Sequence, residues 1–80
     1  MKIVSAGQEE TRAYTKRYRI EEGGINYAVV VSWNEYYGYE TYWYEGNNIV
    51  PTPQSIQEAA DREEIPVGWL IELEEEKANA

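Results

Sequence analysis

The stretch Ile25-Asn26-Tyr27-Ala28-Val29-Val30-Val31-Ser32-Trp33 decides the fold, because Ile25, Tyr27, Val29, Val31 and Trp33 alternate with Asn26, Ala28, Val30, Ser32 and Asn34. A period of two sustained over nine residues is the pattern of a strand that sends one row of side chains to a core and the other away from it. It predicts the central strand of a sheet. Immediately before it, Glu22-Gly23-Gly24 predicts a tight hairpin turn, since glycine reaches the positive φ angles such turns require. Upstream of that turn, Tyr14, Tyr18 and Ile20 alternate with Thr15, Arg17 and Arg19, a half-buried strand with Lys16 on its apolar side. An inward lysine suggests an edge strand, where it would discourage further pairing. Residues 6–11 read as a polar loop after a short initial strand or a frayed end.

Downstream, Asn34-Glu35 and Gly38 supply turn chemistry, and residues 39–45 read as a third strand in which Tyr39, Thr41 and Trp43 oppose Glu40, Tyr42 and Tyr44. Gly46-Asn47-Asn48 closes the meander. Thr52-Pro53 then predicts a helix start, Thr as cap and Pro at the first helical position, running to about Glu64. Ile56, Ala59 and Ala60 make its narrow apolar stripe, and small alanines let it lie close to a sheet. After Pro66 and Gly68, residues 69–73 are read as a returning strand with Trp69, Ile71 and Leu73 on one face. The alternative is a second helix, for Val67, Leu70, Ile71 and Glu74 also fall at helical spacing and the Glu-rich tail favours helix. The expected fold is α+β, an antiparallel β-meander of three to five strands with one helix packed on one face. Residues 1–80 are read as a single domain, with 1–11 and 74–80 as its fraying ends.

Eighty residues leave room for one core, and eight Tyr and three Trp supply its bulk in the complete absence of Phe. The chain has neither Cys nor His, which removes disulfides, thiolate chemistry and the side chain most easily tuned near neutral pH. Carboxylate pairs remain, Glu72 with Glu74 on one strand face and Glu63-Glu64 beside Asp61, but so small a domain offers little room for the deep cleft that glycosidase-like pairs need. No calcium-loop pattern is present. No phosphate loop is present either, because the charges of Glu21 and Glu22 beside Gly23-Gly24 repel phosphate. The chain is read as a non-enzyme without metal or cofactor. It has no apolar run of membrane-spanning or signal-peptide length, and it is read as cytoplasmic, with no membrane partner.

Charge is unevenly placed. Residues 1–20 carry Lys2, Arg12, Lys16, Arg17 and Arg19 against Glu9 and Glu10, whereas residues 21–80 hold thirteen acids against Arg62 and Lys77, for a total of −8. That balance disfavours direct nucleic-acid binding and favours a protein partner with a basic surface. Candidate partner-binding residues are the carboxylates Glu35, Glu40, Glu45, Glu58, Asp61, Glu63 and Glu64. Tyr42 and Trp43 join them from the aromatic segment 36–44, since Tyr and Trp are enriched at binding hot spots. The alternative reading of that segment packs Tyr39 and Trp43 inward and leaves Tyr42 and Tyr44 to cover the other face of the sheet. In size, acidity, lack of His and Cys, and β-rich pattern, the chain resembles the small phage-encoded anti-CRISPR proteins. That resemblance implies an inhibitor that covers the basic, nucleic-acid-binding surface of a CRISPR effector subunit, and it assigns no individual residue. Two other readings stand beside it. One is a carbohydrate- or peptide-binding module using a Tyr/Trp face, and the other is a structural homo-oligomeric accessory protein whose aromatic strand is a subunit interface.

Overall fold

The sheet is a five-stranded antiparallel meander in which each strand pairs with the next along the chain: β1 (Lys2–Ala6), β2 (Ala13–Glu22), β3 (Ile25–Asn34), β4 (Gly38–Glu45) and β5 (Asn48–Val50). Two helices follow, α1 (Gln54–Glu63) and α2 (Val67–Ala78). The structure is a computed structural model that describes residues 1–6 and 13–78. The loop expected over 6–11 lies outside those residues from position 7 onward. Lys2–Ala6 form a strand paired to β2 rather than a frayed end, with an irregularity between Ile3 and Ser5.

The turns follow their local chemistry. Gly23 and Gly24 have φ of 61° and 80°, giving a two-residue hairpin in which Glu22 pairs with Ile25. At the other end of β3, the Asn34 side chain accepts a hydrogen bond from the Tyr36 amide at 2.8 Å, and β4 resumes with Gly38 opposite Asn34.

Alternation then sorts the strands into two faces. On one face the register aligns Ile20 with Tyr27, Tyr18 with Val29 and Trp43, and Lys16 with Val31 and Thr41. Tyr18, Ile20, Val29, Val31 and Trp43 are buried there together with Ile56 and Ala60 of α1 and Leu70 and Ile71 of α2. Each such aliphatic side chain contributes roughly 1.5–3 kcal/mol on burial, so this one cluster is the main source of stability. The Tyr27 and Trp43 rings meet edge to face at 5.4 Å between centroids, and Tyr14 stacks on Trp33 at 5.7 Å. Among the described residues, no helix packs on the opposite face.

Three expectations are corrected. Residues 69–73 are not a returning strand: they lie inside α2, the helix that packs directly on β1, β3 and β4, while α1 packs on α2 and adds Ile56 and Ala60 to the core. Glu74–Ala78 form its last turns, while residues 79–80 lie outside the described residues. Lys16 does not mark an edge, because β2 pairs on both sides. The lysine is accommodated by Glu75 of α2, 3.5 Å from its Nζ. The Thr52 side chain makes no capping bond, and α1 starts one residue later than expected, with Pro53 in the capping position and its carbonyl accepting from the amides of Ile56 and Gln57. The core row of Tyr27, Val29, Val31, Ile56 and Ala60 stands as expected, with Tyr27 packed at its margin.

Candidate functional site

The candidate residues fall into five separate places. Glu58, Asp61, Glu63 and Glu64 are all exposed on or just after α1. Glu58 and Asp61 accept hydrogen bonds from Gln54 and Gln57, each four residues earlier, at 2.9 and 3.0 Å. Glu64 ends the helix in the left-handed conformation, φ 56°, and its amide bonds back to the carbonyls of Ala60 and Asp61. Glu35 lies in the β3–β4 turn and Glu45 at the far end of β4, so the length of that strand separates them.

Glu40 and Tyr42 stand together on the uncovered sheet face. The Tyr42 hydroxyl donates to Glu40 Oε2 at 2.9 Å, and acceptance of that proton by a carboxylate holds the phenol above its ordinary pKa. Trp43 points the other way. It is 1% exposed in the core, so the proposed contact between Trp43 and a partner is corrected: strand alternation puts it on the face opposite Tyr42.

Not every carboxylate is available to a partner. Tyr14 and Tyr39, whose hydroxyls are 3.4 Å apart, both donate to Glu72, Tyr39 at 2.9 Å. Tyr18 donates to Glu75 at 2.7 Å, and Glu75 also faces Lys16. These two acids fasten α2 to the sheet. Glu72 and Glu74 therefore do not form the strand-face pair expected from the sequence. Glu74 turns instead toward Lys77, 3.5 Å away. Among the described residues no group of three or more acidic side chains is arranged to hold a metal ion, and no helix is long and apolar enough to cross a membrane.

Sequence reasoning missed Trp69, which is 45% exposed. On a helix, residues two apart differ by about 200° around the axis, so burying Ile71 turns Trp69 outward. Reading the segment as a strand placed both on one face. Its position is set by Gly68, which packs against Tyr39 and Val31 and so brings the start of α2 to the β3–β4 end of the sheet. Tyr36 and Tyr37, 82% and 83% exposed, occupy the β3–β4 turn at that end. A groove of about 570 Å³ opens beside Tyr37 on the uncovered face, lined by Thr15, Arg17, Ser32, Asn34 and Glu40 among others.

The site thus consists of exposed aromatic rings at one end of the sheet and an acidic helical layer, in which residues 54–78 hold eight carboxylates against Arg62 and Lys77. Compared with protein-family models, curated proteins and solved structures, the chain matches none.

Proposed function

We propose that the protein is a non-catalytic acidic binding protein that inhibits a partner by occupying its basic, nucleic-acid-binding surface, as anti-CRISPR proteins do. The observation that carries this reading is the exposed Trp69 on the helical layer that also bears Glu58, Asp61, Glu63 and Glu64. A large ring supplies contact area at low entropic cost, while carboxylates steer a basic partner and match its Lys and Arg side chains. Arg62 and Lys77 are the two cations between residues 54 and 78, so the potential of the layer stays negative. The partner to test first is a CRISPR effector subunit that normally holds nucleic acid.

The test is direct binding to purified effector complexes, with competing DNA, for the wild type and for two variants: Trp69→Ala and the triple reversal Glu58→Lys/Asp61→Lys/Glu64→Lys. Supporting results are loss of binding in both variants with their folds intact, displacement of DNA by the wild type, and weakening as salt shortens the Debye length to ~8–10 Å and below. Undiminished binding by the triple reversal overturns the reading.

The carbohydrate- or peptide-binding reading draws support from the groove beside Tyr37, where a ring, hydroxyls and two charged groups converge. Glycan-array binding lost in Tyr37→Ala, with no effector binding, decides for it.

A further inference from the structure

The face of the sheet on which no helix packs among the described residues has a pattern of its own. Across β2, β3 and β4 the register aligns Arg17, Val30 and Tyr42 in one row and Arg19, Ala28 and Tyr44 in the next. In both rows an arginine and a tyrosine flank a small or β-branched residue of the central strand. Arg17, Arg19 and Tyr42 are exposed, Tyr42 to 44%.

We propose that this open face is the contact between two copies of the chain, related by a two-fold axis that runs along β3. Rotation about such an axis keeps each row in register and exchanges β2 with β4. Arg17 then meets Tyr42 of the second copy, Arg19 meets its Tyr44, and Val30 and Ala28 meet their own counterparts. The face is therefore self-complementary, as an isologous interface requires. Each guanidinium lies against a ring, whose face attracts cations. Small residues on the axis let two sheets approach to the ~10 Å spacing of face-to-face packing.

Charge and area favour a second copy. Lys2, Arg17 and Arg19 against Glu21 and Glu40 give this face a net charge of +1 in a chain of −8, so self-association here is opposed least by repulsion. The acidic helical layers end up on the two outer surfaces. Five strands ~4.8 Å apart and about six residues deep at ~3.4 Å present roughly 24 by 20 Å, so a pair buries roughly 1,000 Å², the size at which specific interfaces begin. The exposed Ile49 of β5 extends the second row at its outer end, paired with Tyr44.

Sedimentation equilibrium across a concentration series tests the proposal, with the fold of each variant checked by circular dichroism. The wild type is expected at twice the 9.3 kDa chain mass. Val30→Glu and Ala28→Lys set like charges against each other on the axis, and Tyr42→Arg sets two guanidinium groups together. Each is expected to raise the dimer dissociation constant at least about tenfold. The exchange Arg17→Tyr/Tyr42→Arg restores each cross-copy pair and is expected to return the constant to within about threefold of wild type, which a general surface defect does not do. A wild type that remains monomeric up to about 1 mM overturns the proposal. So does a dimer indifferent to all three single changes, or a monomer whose open face takes glycans or nucleic acid instead.

Discussion

Tyr18 on β2 donates its phenolic hydroxyl to Oε2 of Glu75 on α2 at 2.7 Å, joining two elements 57 residues apart in the chain. The tyrosine ring belongs to the core while its tip reaches an acid that composition alone assigns to the solvated surface. Tyr14 and Tyr39 do the same with Glu72. Part of the acidity of the C-terminal segment is therefore structural.

Removing the Glu72 carboxylate is expected to destabilise the fold. Glu72→Ala leaves two part-buried phenols without their acceptor and is expected to cost about 2 kcal/mol, whereas Glu72→Gln keeps an acceptor oxygen and costs less. Urea midpoints of the three proteins check the order.

Alkaline pH acts on the same contact. Tyr14 is held above the ordinary phenol value of 10.0, first by burial and then by its bond to Glu72. In Tyr39 burial outweighs the opposing hydrogen bond from Tyr14. The folded pKa exceeds the unfolded one, so the stabilisation is complete below about pH 10 and declines as pH rises beyond it, where the unfolded chain sheds protons that the native state retains. Urea midpoints measured from neutral pH to above pH 10 are expected to stay level in this respect and then fall. Tyr14→Phe is expected to make the fall shallower.

Two tryptophans separate the helical from the extended reading of the last segment. Trp43→Ala is expected to cost about 3–5 kcal/mol, because it empties the core beneath both helices. Trp69→Ala, on the exposed side of α2, is expected to stay within about 0.5 kcal/mol. A strand with Trp69, Ile71 and Leu73 all facing the core requires the two costs to be similar, so thermal denaturation of both variants distinguishes the readings.

Gly68→Ala tests how closely α2 lies on the sheet. Alanine is favoured over glycine by up to about 1 kcal/mol in a helix interior, and Gly68 lies in the first turn of α2, where that gain is smaller. A Cβ at this position, however, meets Tyr39 Cδ1 at 2.6 Å and Val31 Cγ1 at 3.0 Å. Overpacking of this kind costs about 1–3 kcal/mol, so the net change is expected to be destabilising, as calorimetry reads directly.

The triple reversal on the α1 side is expected to leave stability within about 1 kcal/mol of wild type. Glu58, Asp61 and Glu64 are exposed, and the side-chain bonds to Glu58 and Asp61 come from surface glutamines four residues away. An unchanged melting temperature makes any loss of partner binding a property of the surface.

Local residue patterns alone suffice for the central strand, the glycine hairpin and the helix after Thr52-Pro53. These rest on local rules: a nine-residue alternation fits no helix, Gly23-Gly24 fits the left-handed turn, and the Ile56/Ala60 spacing has one reading. Tertiary structure decided residues 67–78. There Trp69, Ile71 and Leu73 fit period two while Val67, Leu70 and Ile71 fit a helix, and so short an apolar run satisfies both. The competition ends once the meander has a core face that α1 alone leaves partly bare, because a helix placed there buries Leu70 and Ile71 and brings Glu72 and Glu75 within reach of three tyrosines. The same packing decided which acids face solvent and which tryptophan does. A carboxylate bonded to a phenol dozens of residues away has no local signature, so Glu72 and Glu75 are indistinguishable in the sequence from Glu58 and Asp61.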